Sequence, residues 1–305
     1  MKAESPSSPR EAAEALRSAS TAGFTVGFRG CGTKARWGNV VPDPDVEIRT
    51  EWLNRIVEHN PGDLTAVLQA GVPLREAQAA FAESGQMAAI GLVHPDATIG
   101  GIVATADYGS LRHRYGAVRD LLLGITVVLS DGTVAKSGGK VIKNVAGYDL
   151  AKLFAGSFGT LGMIVQVAVR LHPRPAHPTE LVASTTDPDA VQGAAMALAH
   201  EPLELESVDV SWSAGRGHLV IVWSGERPEA TGERVRRLLE GAGFQSDSIT
   251  GEVPPVAPAF SGLAAIVRVS ALPMELSKAI RVCEMVPSTL WGLAGRGLFT
   301  FEVVG

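Results

Sequence analysis

Arg-Gly-Cys-Gly-Thr-Lys, at residues 29–34, is the stretch of this sequence that decides the fold. It follows residues 24–28, Phe-Thr-Val-Gly-Phe, an apolar run with the length and composition of a β-strand. Glycines placed directly after a strand let successive main-chain N–H groups converge on one anion. Thr33 and Lys34 would add a hydroxyl donor and a positive charge. The stretch therefore predicts an anion-binding turn at the end of a strand.

Two nucleotide-binding motifs and a plain turn also have to be considered for this loop. A Rossmann turn needs a third small residue followed by a helix; Ala35 could serve, but Trp37-Gly38-Asn39 would break the helix. A Walker A loop needs the order Gly-Lys-Ser/Thr, and here Thr33 precedes Lys34. An ordinary tight turn stays open for this loop considered alone.

Further clusters of small residues follow along the chain. They are Thr98-Ile99-Gly100-Gly101, a little beyond Pro95, then Gly147-Tyr148-Asp149-Leu150, then residues 156–162, Gly-Ser-Phe-Gly-Thr-Leu-Gly. Each lies beside an apolar segment predicted as a strand or a helix. Together such loops suit one long ligand threaded between two lobes, with its diphosphate neutralised by main-chain amides rather than by many positive side chains.

Hydrophobic periodicity predicts an α+β arrangement around these loops. Residues 1–17 look like a tail leading into the first helix. The expected elements are helices at 10–22 and 73–83 and strands at 24–28, 64–70, 121–129, 133–135 and 163–171. Asp131-Gly132 predicts a hairpin turn. A domain boundary is predicted near residue 176, because Pro173, Pro175 and Pro178 interrupt regular secondary structure there.

The remaining residues, 177–305, show the order β-α-β-β-α-β. The expected elements are strands at 181–183, 205–212, 218–223 and 244–249 and helices at 189–199 and 229–239. This order predicts a ferredoxin-like half. A second set begins with a strand at 263–269 and a helix at 274–285, and the last residues, 299–305, form an alternating apolar strand. We expect this second domain to be incomplete at its carboxyl end.

Composition argues against several classes of protein. The net charge of −5 and the lack of a Lys/Arg block exclude a phosphate-backbone binder, and the short run Arg112-His113-Arg114 is expected to be a solvated or partner-facing loop. Cys31 and Cys283 lie in different predicted domains, so neither a disulfide framework nor a metal cluster is expected. No apolar run is long enough to span a bilayer. We therefore expect a cytoplasmic protein, which partners could hold at the inner face of a membrane.

Taken in order, the motifs resemble the vanillyl-alcohol oxidase/p-cresol methylhydroxylase (PCMH) superfamily of flavoproteins. The resemblance covers about residues 10–175 and rests on residues 29–34, 63–64 with 69–72, 97–101, 115–120, 143–150 and 153–162. The run at 143–150, Lys-Asn-Val-Ala-Gly-Tyr-Asp-Leu, resembles more specifically the FAD-binding subunits of bacterial glycolate oxidases. It implies a two-lobed PCMH-type FAD-binding domain at 1–176, with a small αβ lobe at about 10–90 and a larger α+β lobe at about 91–176, before a ferredoxin-like cap domain at 177–305.

The resemblance also implies which residues contact FAD. The pyrophosphate would be wrapped by Arg29, Gly30, Cys31, Gly32, Thr33 and Lys34, and the diphosphate and ribose would be contacted by Thr98, Gly100 and Gly101, with Pro95 nearby. The cofactor channel would be lined by Gly109, Tyr115 and Gly116. The residues packed beneath the cofactor would be Gly147, Tyr148, Asp149, Gly156 and Gly159, and the adenine would be met by the backbone of Ile164. Cys31 stands where the family more often has glycine. His94 and His113 are the nearest candidates for a covalent flavin link, and neither is well placed, so noncovalent FAD is expected.

The implied activity is FAD-dependent oxidation of a 2-hydroxy acid, glycolate first, by a subunit that works beside a larger flavoprotein and an iron–sulfur subunit. Such a reaction needs a cation for the carboxylate and a base for the hydroxyl proton. The second domain offers scattered candidates that form no such constellation, so the catalytic residues stay unassigned: His200, His218, Arg216, Arg227, Arg268 and Arg281. A non-catalytic FAD-binding electron relay or assembly subunit remains open, as does oxidation of another substrate such as D-lactate, a sugar acid or an aldonolactone.

Overall fold

The structure is a computed structural model that describes residues 1–39, 41–91, 94–140, 149–245, 249–250 and 263–304. The chain divides into two compact units, of which the first is Met1–Gly109 with Gly116–Arg174 and the second is Ser110–Tyr115 with Pro175–Gly305. The sequence had placed segment 110–115 inside the FAD-binding domain. It belongs to the second unit because Arg114 and Tyr115 both bond to the carboxylate of Glu206.

The strands and helices of the described residues are as follows. The strands are β1 (Lys2–Glu4), β2 (Val26–Arg29), β3 (Val46–Arg49), β4 (Ile56–Asn60), β5 (Thr65–Gln69), β6 (Gln86–Met87), β7 (Leu122–Val128), β8 (Val134–Gly138), β9 (Met163–Arg170), β10 (His172–Pro173), β11 (Thr179–Thr185), β12 (Leu205–Ser213), β13 (Arg216–Trp223), β14 (Ile249–Thr250), β15 (Leu263–Ser270), β16 (Ser288–Leu293) and β17 (Leu298–Val304). The helices are α1 (Pro9–Ala22), α2 (Leu74–Ala82), α3 (Ile99–Thr105), α4 (Arg112–Tyr115), α5 (Val118–Leu121), α6 (Ala151–Phe154), α7 (Pro188–His200), α8 (Pro228–Gly241) and α9 (Leu276–Met285).

The first unit contains a small parallel sheet of order β1-β3-β2. Residues 1–17 are therefore not simply a tail, since β1 pairs with β3 before α1 begins. The Ser8 side chain caps the start of α1 by accepting the Glu11 N–H, and Gly23 ends the helix in a left-handed conformation. The buried face of α1, including Leu16, packs into one core with Ile48 of β3 and Val165 of β9.

The first unit also contains a five-stranded antiparallel sheet of order β4-β5-β9-β7-β8. Strands β4 and β5 come from the part of the chain assigned to the small lobe, yet β5 pairs along its length with β9. The expected lobe limit near residue 90 is therefore wrong for these strands. Sequence periodicity reports which residues form a strand but not which distant strand completes its hydrogen bonds.

The segment 98–101, expected as a loop, begins helix α3 instead. Thr98 is its N-cap, and the Thr98 hydroxyl accepts the Gly101 N–H at 3.3 Å. Glycine disfavours helices, which explains the wrong expectation. Close packing requires it here, because a Cβ on Gly100 would lie 2.6 Å from the Cβ of Ala70. Similarly, the strand expected at 121–129 is preceded by one helical turn, α5, and starts at Leu122.

The second unit is a seven-stranded antiparallel sheet of order β14-β11-β13-β12-β16-β17-β15, with its helices contributing to one large core. The strands and helices from β11 to β14 follow the expected β-α-β-β-α-β order, and the α+β, ferredoxin-like expectation is confirmed. Pairing of β12 with β16 joins the second set to the first. Strand β16 was not expected, and the strand expected at 244–249 is described only at Ile249–Thr250. Among the described residues, every helix is too short or too polar to cross a bilayer.

Candidate cofactor site

A cavity of about 610 Å³ lies in the first unit. Separate stretches of the chain supply its walls: residues 25–35 and 37, residues 41–44, Thr50, residues 98, 100, 101, 104 and 105, and residues 158–160 and 162–164. These stretches are the end of β2 with the loop after it, the start and end of α3, and the loop that leads into β9. A volume of this size is typical of a cofactor or small-molecule site.

The loop after β2 lines this cavity and contains main-chain donors without a protein partner among the described residues. Within the described part of the chain, the N–H groups of residues 30–33 donate no hydrogen bond to another protein atom. The turn is held from its far side, where the Ala35 N–H donates to the carbonyl of Gly32 at 3.1 Å. Gly32 adopts a φ of 73°, which glycine tolerates without strain. Consecutive free amides in such a turn form a concave anion site.

The first and second glycine clusters meet in space. A Cβ on Gly30 would lie 2.2 Å from the hydroxyl oxygen of Thr98, so a side chain at position 30 would displace the cap of α3. A Cβ on Gly101 would lie 3.1 Å from the same oxygen. The structure therefore brings residues 30–34 and 98–101 together at one wall of the cavity, as a ligand shared between them requires.

The positive charges near the loop are largely matched by carboxylates. The Lys34 ammonium lies 3.3 Å from a carboxylate oxygen of Asp107, with both side chains buried. Arg29 lies 3.4 Å from Glu47, and Arg49 lies 2.7 Å from the same carboxylate. The hydrogen bond from Arg49 and, after it, that from Arg29 hold the pKa of Glu47 below its usual value. The loop thus offers amide dipoles and the half-exposed Arg29 rather than a free lysine.

The third wall is the loop between α6 and β9, which is shaped by left-handed backbone. Gly156, Phe158 and Gly159 have φ values of 83°, 53° and 79°. The loop is tied to the end of α3, because the N–H groups of Gly156 and Phe158 donate to Val103 and Ala104 at 3.0 and 2.8 Å. A Cβ on Gly159 would lie 3.0 Å from the ring of Phe28, so glycine allows the loop to close on β2.

Thr50 has a buried hydroxyl beside the cavity. It follows β3, lines the cavity and is 7% exposed, and its hydroxyl has no hydrogen-bond partner among the described residues. A buried hydroxyl without a partner costs free energy, and such groups are expected to have one. The Thr50 hydroxyl oxygen is itself shielded from the open cavity. The donors that fit a dinucleotide with a diphosphate are the amides of residues 30–33 and the hydroxyl of Thr33, whose residues line the cavity.

Most of the predicted contact residues line the cavity, and several do not. The residues that line it are Arg29, Gly30, Cys31, Gly32, Thr33, Lys34, Thr98, Gly100, Gly101, Gly159 and Ile164. Pro95, Gly109, Gly116, Asp149 and Gly156 are not part of its lining, and neither are His94 and His113. Gly147 and Tyr148 lie outside the described residues, as does most of the run at 143–150.

Tyr115 has a different environment from the one predicted for it. It belongs to the second unit, where its hydroxyl donates to Glu206 at 2.8 Å. Burial, with Glu206 beside it, raises the pKa of Tyr115 to about 12. The basic run at 112–114 is likewise not a solvated loop, because it forms α4 and Arg114 pairs with Glu204 and Glu206.

Sequence reasoning missed several lining residues. Thr50, Ala104 and Thr105 belong to no recognisable motif, and only the folded chain brings them to the cavity. Phe28 and Phe158 lay inside the quoted stretches, but an aromatic residue in a strand or a loop suggests core packing unless its exposure is known. Phe158 is 52% exposed.

Comparison with known proteins agrees with this geometry. Residues 4–138 match the protein family described as FAD binding domain. An uncharacterised FAD-linked oxidoreductase of Mycobacterium tuberculosis is 33% identical over 192 residues, which is 63% of this chain and 42% of that protein. The glycolate oxidase subunit GlcE of Escherichia coli is 36% identical over 150 residues, which is 48% of this chain and 42% of that protein. The chain thus spans well under half of the length of these relatives.

A solved structure supports the fold. The Bermuda grass isoallergen BG60 superimposes with a TM-score of 0.75, covering 99% of this chain and 71% of that one. The sequences are 13% identical, so this likeness concerns the arrangement of the elements alone.

Proposed function

We propose that the protein is the FAD-binding subunit of an oxidoreductase acting on a 2-hydroxy acid, with glycolate as its first substrate, because residues 4–138 match the family described as FAD binding domain. FAD is the cofactor of this domain. The similarity to the glycolate oxidase subunit GlcE supports the choice of substrate class. The mode of binding, the partners and the reaction are parts of the proposal.

The observation that carries the proposal is the row of N–H groups at residues 30–33, which have no partner within the part of the chain that the structure describes and lie next to Thr98 at the cavity. These amides would hold the diphosphate of FAD. Arg29 would add positive charge, because a Cβ on Gly32 would lie 3.0 Å from its guanidinium. The bound flavin would supply the hydride acceptor for oxidation of the substrate.

The binding would be noncovalent. Neither His94 nor His113 lines the cavity. Cys31 does line it, in the loop that would face the diphosphate rather than a flavin ring. Denaturation of the protein with acid should therefore release the whole of the flavin. FAD that stays with the precipitated chain would contradict this part of the proposal.

The partners and the location follow from the similarity to a glycolate oxidase subunit. We infer that the chain works beside a larger flavoprotein subunit and an iron–sulfur subunit that passes the electrons on. It would be cytoplasmic, and these partners could hold it at the inner face of a membrane. Co-purification of a tagged chain with both subunits is the measurement that checks this arrangement.

The experiment that tests the proposal has two steps. The first is the visible spectrum of the purified full chain, with chromatographic identification of the released flavin as FAD. The second is dye reduction by glycolate and by D-lactate, measured with the chain alone and with the partner subunits added.

Each step can fail separately. A folded, colourless chain that does not take up added FAD would contradict the cofactor-binding site. A chain that holds FAD but supports no oxidation of either acid, even with its partners, would contradict the oxidoreductase role. That second result would favour an FAD-binding relay or assembly subunit instead.

A further inference from the structure

Phe158 has a backbone conformation that its side chain does not favour. Its φ is 53°, in the left-handed region where bulky residues are rarely found. Among the described residues, the other non-glycine residues with positive φ are Leu64 and Ala106, which end helical turns, and Ala214, which lies in the turn between β12 and β13. Phe158 instead lies in the cavity wall.

The surrounding structure holds Phe158 in this conformation. Its N–H donates to the carbonyl of Ala104 at 2.8 Å, and the N–H of Gly156, two residues earlier, donates to Val103 at 3.0 Å. Both acceptors belong to α3, which begins at the diphosphate side of the cavity. Strain that the fold maintains in this way is concentrated at ligand-binding and catalytic sites.

Core packing does not explain why a phenylalanine occupies this position. The residue is 52% exposed, so its ring contributes little to the hydrophobic core. The ring edge comes near Gly38, where an added Cβ would lie 4.0 Å from the Cε1 atom of Phe158. Glycine would satisfy the backbone better, since it adopts positive φ at no steric cost. Packing and backbone conformation within the described residues therefore give no reason for an aromatic ring at this position.

We propose that the ring of Phe158 is a stacking surface for one of the planar rings of FAD. Phe158 lines the cavity and is 52% exposed, so its ring would offer both apolar area and stacking to a heteroaromatic ring of the cofactor. The proposal rests on the assignment of FAD to this cavity and adds a specific contact to it. It makes Phe158 a binding residue whose ring is buried when the dinucleotide enters.

The effect of the ring on FAD binding can be distinguished from the effect of backbone strain on stability by comparing three flavin-free forms of the full chain. These forms are wild type, Phe158→Gly and Phe158→Tyr. The measurements are the Kd for FAD by calorimetric titration and the Tm of the flavin-free protein. For Phe158→Gly we expect a higher Tm, because the strain is relieved, together with a Kd about tenfold higher. Phe158→Tyr keeps the ring and the strain, so both values should stay near those of wild type.

The two halves of FAD show which ring is involved. Titration with ADP and with FMN should reveal a loss of affinity in Phe158→Gly for only one of them, the half whose ring stacks. An unchanged Kd for FAD in Phe158→Gly would overturn the proposal. So would a lower Tm with a proportional loss of affinity, because that would make Phe158 a structural residue. Failure of the wild-type chain to bind FAD would instead contradict the cofactor assignment.

Discussion

The ammonium nitrogen of Lys34 lies 3.3 Å from a carboxylate oxygen of Asp107, and the two side chains are 5% and 6% exposed. This ion pair joins the glycine loop after β2 to the residue that follows the end of α3. It fixes the position of two cavity walls relative to each other inside one unit. It also means that the loop lysine serves the protein structure, while the amides of the loop remain available to a ligand.

Asp107→Asn should destabilise the fold strongly. Removing the carboxylate leaves a buried ammonium without its neutralising charge, which costs about 3–5 kcal/mol in proteins. The free energy of unfolding from urea titration measures the loss. Glu14→Gln is the control, because the Arg10–Glu14 pair is exposed and should contribute less than about 0.5 kcal/mol. Similar effects of the two substitutions would contradict the structural role of the Lys34–Asp107 pair.

Gly32→Asp should abolish FAD retention by placing a carboxylate where the diphosphate is expected. The new carboxylate would repel the diphosphate and compete with it for Arg29, whose guanidinium would lie 3.0 Å from a Cβ at position 32, so FAD binding should weaken by several kcal/mol. The readout is the flavin-to-protein ratio after gel filtration.

Gly23→Asp controls for the backbone effect of that substitution. Gly23 has a φ of 69°, close to the 73° of Gly32, but it caps α1 and does not line the cavity. It should keep its full complement of flavin. Flavin retained by Gly32→Asp, or lost equally from both variants, would count against the assigned loop.

Cys31 should be protected from alkylation by FAD. It is exposed and lines the cavity, whereas Cys283 is 4% exposed and burial raises the pKa of its thiol. At 100 times Kd, FAD leaves about 1% of the sites free, so labelling of Cys31 should slow up to about 100-fold. Mass spectrometry of iodoacetamide-treated protein gives both rates. Cys283 should react slowly with or without FAD, and equal labelling of Cys31 in both conditions would place the ligand elsewhere.

Two partly buried groups in the second unit, His113 and Asp209, make opposite contributions to stability as pH changes. Burial, with Arg296 nearby, lowers the pKa of His113 to about 4. The contribution of His113 to the free energy of unfolding is therefore complete above its ordinary pKa of 6.5 and is lost as pH falls towards 4. Burial raises the pKa of Asp209 to about 6, although Ser207 and Ser110 hydrogen-bond to it. The contribution of Asp209 to the free energy of unfolding is therefore complete below its ordinary pKa of 3.8 and is lost as pH rises through 6.

Replacing one of these groups should therefore remove its own share of the pH dependence of stability. Relative to wild type, His113→Gln should gain stability as pH falls from 7 to 4.5, and Asp209→Asn should gain stability as pH rises over the same range. Each change should be about 2 kcal/mol, since one pKa unit corresponds to about 1.4 kcal/mol. Urea unfolding at several pH values provides the measurement. The same sign of change in both variants would contradict the assigned burial of one of them.

Sequence reasoning succeeded where the relevant physics is local. The spacing of apolar residues predicted α1, α2, α7 and most strands within a few residues, because a side chain on one face repeats with a fixed period. The glycines of residues 30–32 predicted a tight turn, and Asp131-Gly132 predicted the hairpin between β7 and β8. The loops alone predicted a ligand with a diphosphate, and FAD was indicated by the resemblance of the motifs, taken in order, to a known flavoprotein superfamily.

The sequence by itself determined where the chain could form turns with free amides and which segments alternate between strand and helix. Only the tertiary structure decided that Lys34 pairs with Asp107, that Thr50 lies at the cavity, and that residues 110–115 belong to the second unit. These are contacts between segments far apart in the chain. Their formation depends on which surfaces exclude water together and on which carboxylate neutralises which cation, and neither is encoded in the local period of the sequence.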